Sequence, residues 1–349
     1  MVSHSGRRGR APRLDWTELR DEDLLQLRLK DLDVSIHGTW LEECVDELNG
    51  ELANVGIAAR AHAWISDEWF SPSNTPGISI PFYLAHPRLM RLEKKMMQEV
   101  EGGTQRDCVR ILRHEAGHVI QHSYALHRRR RWQEVFGLSS KPYPNTYRPN
   151  PESKNFVQHL RRWYGQSHPD EDFAETFAVW LTPRSTWRKR YADWPALAKL
   201  EYVDELMAEI AGEKPLLTKR VEVDGIGKLT KTLGEHYKKK LEHYAVDTPT
   251  IFDRELQRIF SDDADAGAPS ASAFIRSNRA EIRKLVSRRT EEHLLTLDAI
   301  LDDMIDRCRA LKLRAAGGET AMRTHLIALL TSKTVHSMYS SARRLCFAV

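Results

Sequence analysis

Arg113-His114-Glu115-Ala116-Gly117-His118 is the stretch on which the reading of this chain turns. It lies inside Thr104 to Leu126, where Val109, Leu112, Ala116, Val119 and Ile120 recur at helical spacing. On a helix, residues i and i+4 share a face about 6 Å apart, so the imidazoles of His114 and His118 can reach one ion. Glu115 is turned away by about 100° and can address a water on that ion. Two neutral nitrogens and a carboxylate oxygen suit zinc and leave its fourth position open, so one Zn2+ per chain is expected. The metzincin continuation is missing: Tyr124 stands where that pattern has its third histidine, and Gln121 where it has glycine. His122 shares the face of His118 but lies too far along the axis to join His114 at one ion, and reads as a capping or solvent-facing residue.

A third ligand is expected downstream, in His168-Pro169-Asp170-Glu171-Asp172-Phe173-Ala174-Glu175-Thr176-Phe177-Ala178. His168-Pro169 marks a helix start, and Phe173, Phe177 and Trp180 give that helix an apolar face. Glu171 and Glu175 are four apart and project together. A carboxylate pair on an apolar helix is costly to bury without a cation or hydrogen-bond donors, and zinc with its histidines supplies both. An acidic first turn favoured by the helix dipole accounts for Asp170 and Glu171 equally well, but less well for Glu175.

The His-Glu-x-Gly-His helix followed by Tyr-Gly, five residues, and Glu-x-Phe-Ala-Glu-x-Phe resembles the zincin metallopeptidases of the gluzincin type. It is similar in particular to the catalytic domain of anthrax lethal factor and to bacterial zinc-binding metallopeptidases with an EDFAET-like helix. The resemblance covers roughly residues 104–182. It implies an α+β, zincin-like domain: a small twisted sheet with an edge strand, the HExxH helix beneath it, and a helical lower part carrying Glu171. It implies that His114, His118 and Glu171 ligate the metal and that Glu115 is the general base. It further implies that Glu175 orients a ligand histidine and that Tyr164 stabilises the oxyanion. Asp172 departs from the lethal-factor pattern, which has Phe there, so Glu175 and then Asp172 stand as alternative ligands behind Glu171.

The rest of the chain frames this domain. At 349 residues with 41% hydrophobic residues, a packed core and about two domains are expected. The net charge, 53 Lys+Arg against 49 Asp+Glu, is only +4, which argues against nucleic acid as the main partner. No run approaches the roughly 20 apolar residues of a membrane span, and no apolar segment follows the basic residues 1–13. A cytoplasmic protein is therefore expected, with Cys44, Cys108, Cys308 and Cys346 as reduced, buried thiols. Residues 1–13 read as a disordered tail, 14–215 as the metallopeptidase domain, and 216–349 as a helical region with a linker at 261–272. Within 14–215, Leu32, Val34 and Ile36 alternate like a strand, Trp40 to Val55 has helical spacing, and Ala59–Ser66 and Gly77–Leu84 read as strands. Residues 137–153 read as a loop, and helical pattern resumes near Asn155. Gly77-Ile78-Ser79-Ile80 reads either as the edge strand that pairs with an extended peptide or as plain core sheet.

These features point to a zinc-dependent peptidase acting on a peptide or protein substrate. The helical C-terminal region is then expected to dock a protein partner, select substrates or cover the cleft. The competing reading is a catalytically quiet zincin fold that binds through its C-terminal helices, against which the intact Glu115 argues. A basic helical nucleic-acid binder is the third.

Overall fold

The computed structural model describes residues 15–144, 146–244, 253–262, 268–340 and 343–344. The basic tail at 1–13, Cys346 and the middle of the 261–272 linker lie outside the described residues. The first core runs from Leu24 to Ile210 and takes in Leu233 and Tyr237, so it extends past residue 215, where the composition changes. A second core joins Leu256 to Leu330. It is built from helices Ala271–Thr290, Leu294–Ala310 and Glu319–Ser340, with the short Asp253–Ile259 beside them. No helix among the described residues is long and apolar enough to cross a membrane.

The architecture is mixed, dominated by helices around a small parallel sheet. Strand β1 (His62–Ser66) pairs with β2 (Gly77–Pro81), His62 opposite Gly77. Every residue of β2 is buried. Its far edge is taken by the chain leaving β1: Ser79 N donates to Phe70 O at 2.8 Å, and Ser79 Oγ donates to Glu68 O at 2.6 Å. Of the two readings of Gly77–Ile80, the burial of all of β2 favours core sheet, and one antiparallel bridge, Phe70 opposite Ser79, covers part of the edge that an extended peptide would use. The strand expected at Leu32–Ile36 is also absent. Leu29–Asp31 forms a single 3-10 turn, Leu29 and Lys30 donate their amides to Lys231 O and Leu229 O, and Leu29, Leu32 and Ile36 point into the core without strand pairing.

The helix expected at Trp40 to Val55 is found as Trp40–Asn54, capped by Thr39, whose hydroxyl accepts from Leu41 N. The HExxH stretch lies in helix Gln105–Ser123, where Thr104 caps the first turn by accepting from Asp107 N. Arg113 fastens this helix to the Trp40–Asn54 helix through a bidentate pair with Glu51, Nη2–Oε1 at 2.5 Å and Nε–Oε2 at 2.8 Å. The acidic helix, Pro169–Leu181, starts at the expected His168–Pro169, with His168 Nδ1 accepting from Asp170 N. No helix forms near Asn155, because the amides of His159 and Leu160 are given to the Glu175 carboxylate.

The HExxH helix and the acidic helix are in near-backbone contact. A Cβ built on Gly117 would lie 2.6 Å from Ala174 Cα. Glycine at this position of the motif is thus a packing requirement, and Gly117→Ala must push the two helices apart. Overpacking of this kind costs about 1–3 kcal/mol. Thermal unfolding of Gly117→Ala is expected to show a lowered midpoint; an unchanged midpoint would contradict the close approach.

Candidate metal centre

Helical spacing puts His114 and His118 on the face of the Gln105–Ser123 helix that meets the acidic helix. His114 Nε2 lies 3.0 Å from Glu171 Oε2, and His118 Nε2 lies 3.3 Å from the same oxygen. The candidate ligand atoms of His114, His118 and Glu171 all fall within 4.8 Å of one another, and all three residues are buried. Donors about 2.0–2.1 Å from a tetrahedral zinc stand roughly 3.3 Å apart, so the spacing and the two-nitrogen, one-oxygen chemistry fit that ion.

Each of these groups is fixed from behind. His114 Nδ1 lies 2.9 Å from Glu175 Oε1, leaving Nε2 as the nitrogen that faces the cluster. Glu175 is fully buried and also accepts from His159 N at 2.8 Å and Leu160 N at 2.9 Å. Tyr143 donates its hydroxyl to Glu171 Oε1 at 3.0 Å, and its ring stacks on His168 with centroids 3.8 Å apart. Ser71 donates to Glu115 Oε2 at 2.9 Å. Tyr164 is buried, with its ring centroid 5.7 Å from that of His114.

Electrostatics follow from this crowding. Burial works against a charged His114, but the carboxylates of Glu171 and Glu175 outweigh it and raise its pKa to about 10. Burial also opposes a charged Glu171, yet the two histidines hold its carboxyl well below the usual range. Glu175 is lowered too, against its own burial, by His114 and the amide donors. A divalent cation among these groups would supply positive charge to balance the carboxylates.

Asp172, the second alternative ligand after Glu175, points elsewhere. Its Oδ2 pairs with Lys199 Nζ at 2.5 Å, and burial raises its pKa to about 7 despite that lysine. His122 stays outside the cluster, with burial lowering its pKa to about 3 and its ring near that of His127. His168 is spent as a helix cap and on Lys141 O. Of the four arginines that follow the HExxH helix, Arg128 to Arg131, three are in ion pairs: Arg129 with Glu209, Arg130 with Glu134 and Arg131 with Glu205. Ser71 and Tyr143 were not anticipated; each sits in a turn-rich segment with no period or spacing to mark it.

The cluster opens on a cleft of about 1070 Å³, whose lining includes Glu68 to Asn74, Tyr143, Tyr164 and Asp170. Glu68, which lines the cleft, has a pKa raised to about 7. Burial is the main cause, Lys240 opposes it, and Asp67, Glu101 and Glu93 add to it.

Residues 89–206 match the model of a family described as "Putative zinc-binding metallo-peptidase". That stretch contains the His-His-Glu cluster, Glu115, Tyr143, Tyr164 and Glu175. No curated protein and no solved structure matches the chain. Over this third of its length the chain is similar to zinc-binding metallopeptidases.

The raised pKa of Glu68 makes a pH prediction. The unfolded carboxyl titrates at 4.5 and the folded one at about 7, so folding is unpenalised below the first value. The ionised group opposes folding progressively as pH rises from one value to the other. Glu68→Gln is therefore expected to raise the unfolding midpoint at pH 8 and to leave it unchanged at pH 4.5. Equal midpoints at pH 8 would contradict the desolvated environment.

Proposed function

We propose that this protein is a zinc-dependent peptidase of the gluzincin type. The observation that carries the reading is the convergence of His114 Nε2, His118 Nε2 and Glu171 Oε2 at zinc-like spacing on the floor of an open cleft. The family match over residues 89–206 supports it. His114, His118 and Glu171 would hold the ion. When bound, zinc would lower the pKa of a water to about 7 and polarise the scissile carbonyl.

The chain's own groups then divide the work. Glu115, held by Ser71, takes the proton of the attacking water and returns it to the leaving amine. Tyr164 donates to the oxyanion that develops on the former carbonyl. Glu175 keeps Nδ1 of His114 as the donor, so that Nε2 carries the lone pair. Tyr143 occupies the second oxygen of Glu171, which leaves Oε2 for the ion. Segment 68–71, on the outer side of β2, is placed to run beside an extended peptide. The zincin-like fold, with the C-terminal helices as its partner-facing or covering region, belongs to the same proposal.

Metal content and hydrolysis test it together. Wild type is expected to hold one zinc per chain by elemental analysis. His118→Ala and Glu171→Ala lose it, whereas Glu175→Ala and Asp172→Asn keep most of it. Against a mixed peptide library, Glu115→Gln should retain zinc and lose about 10²–10⁴ in rate. A zinc-loaded wild type that cleaves nothing in the library would shift the reading to the catalytically quiet binding module; a wild type without zinc would remove the peptidase reading and turn the search for function to the C-terminal helices.

A further inference from the structure

We infer that the turn Glu291-Glu292-His293, between the first two long helices of the C-terminal region, positions Tyr164 by clamping the backbone just before it. Arg162 and Trp163 both have left-handed backbones, with φ of 67° and 53°. Neither is glycine, and two consecutive residues in that region persist only where the surroundings over-determine them. Here the surroundings come from three directions. Arg162 N donates to Glu291 Oε2 at 3.3 Å, and its guanidinium Nη2 donates to Glu292 Oε1 at 3.2 Å. Tyr147 donates its hydroxyl to Arg162 O at 2.9 Å.

The turn is itself anchored on the first core. His293 Nε2 lies 2.8 Å from Glu99 Oε1, Arg161 lies 3.6 Å from the other oxygen of Glu99, and Leu295 packs against the core that holds the metal cluster. Glu292 is buried, and His293 N donates to its Oε1 at 3.1 Å. Immediately downstream the chain is pinned again, because Ser167 donates through both N and Oγ to Tyr164 O, at 2.9 Å and 2.7 Å. Tyr164 thus projects from a short arch closed at one end by Ser167, just before the acidic helix, and held at the other by the C-terminal region. The C-terminal helices are on this account a positioning element of the site. This inference rests on the oxyanion role proposed for Tyr164.

Hydrogen exchange and kinetics on the zinc-loaded full chain separate the parts. In the Glu291→Ala/Glu292→Gln variant, exchange of the amides in 160–168 is expected to rise about tenfold or more, while the HExxH helix exchanges as in wild type and zinc content is unchanged. Unchanged exchange in 160–168 overturns the clamp, whatever the activity. On the peptide library, the same variant is expected to lower kcat by about tenfold with KM unaltered, and to cost nothing further in a Tyr164→Phe background. A kcat loss that persists in that background overturns the route through Tyr164. Absence of hydrolysis by wild type counts against the peptidase reading, and the exchange result then decides the clamp alone.

Discussion

Everything at the candidate site depends on how closely two helices approach. At Gly117 the HExxH helix has no side chain, and Ala174 of the acidic helix fills the space at backbone distance. Only at that separation can His114 and His118 share a single oxygen of Glu171, with Glu175 behind His114. The contact joins two segments more than fifty residues apart, and a methyl group at Gly117 would separate them.

The same approach creates an electrostatic problem that the rest of the site solves. Two carboxylates and two imidazoles are buried together, which is unfavourable unless every group is paired. The amides of His159 and Leu160 and the hydroxyl of Tyr143 are drawn in as donors. That demand explains why residues 155–160 give up helical hydrogen bonding, and residues 139–143 lie against the start of the acidic helix, where Ser139 meets Asp170 and Tyr143 meets Glu171. Asp172 shows the contrast: on the same helix but facing away, it takes Lys199 as its counter-charge and leaves the cluster to Glu171.

Around this centre the sheet is minimal. β2 pairs with β1 and is joined to the irregular segment 68–71, which borders the cleft, by the single bridge between Ser79 and Phe70. That segment supplies Ser71 to Glu115, which ties the sheet to the general-base candidate through one hydroxyl. On the opposite side the strained Arg162–Trp163 arch is braced by the C-terminal helices. Such strain costs on the order of 1–3 kcal/mol per residue and needs that bracing to persist.

How much of this was legible beforehand follows the range of the interactions involved. The HExxH helix, its Thr104 cap, the Trp40–Asn54 helix and the start of the acidic helix at His168–Pro169 are set by period and capping chemistry, which are local and can be read along the chain. So is the pairing of His114 with His118 on one face. The choice of Glu171 over Asp172 to face the histidines is of another kind. It depends on which way the acidic helix is rolled against its partner, and Gly117 and Lys199 decide that from a distance. The loss of the strand at Leu32–Ile36 likewise reflects partners remote in sequence, Lys231 and Leu229, since alternation marks burial without naming a neighbour. Ser71, Tyr143 and the Glu291–His293 turn carry no pattern at all, because their roles exist only where the folded chain brings them to Glu115, Glu171 and Arg162. The sequence by itself determined the helices and the ligand-capable side chains, through local propensity and period. The tertiary structure alone decided which carboxylate meets the histidines and what holds each group in place, through packing between segments that are far apart in the chain.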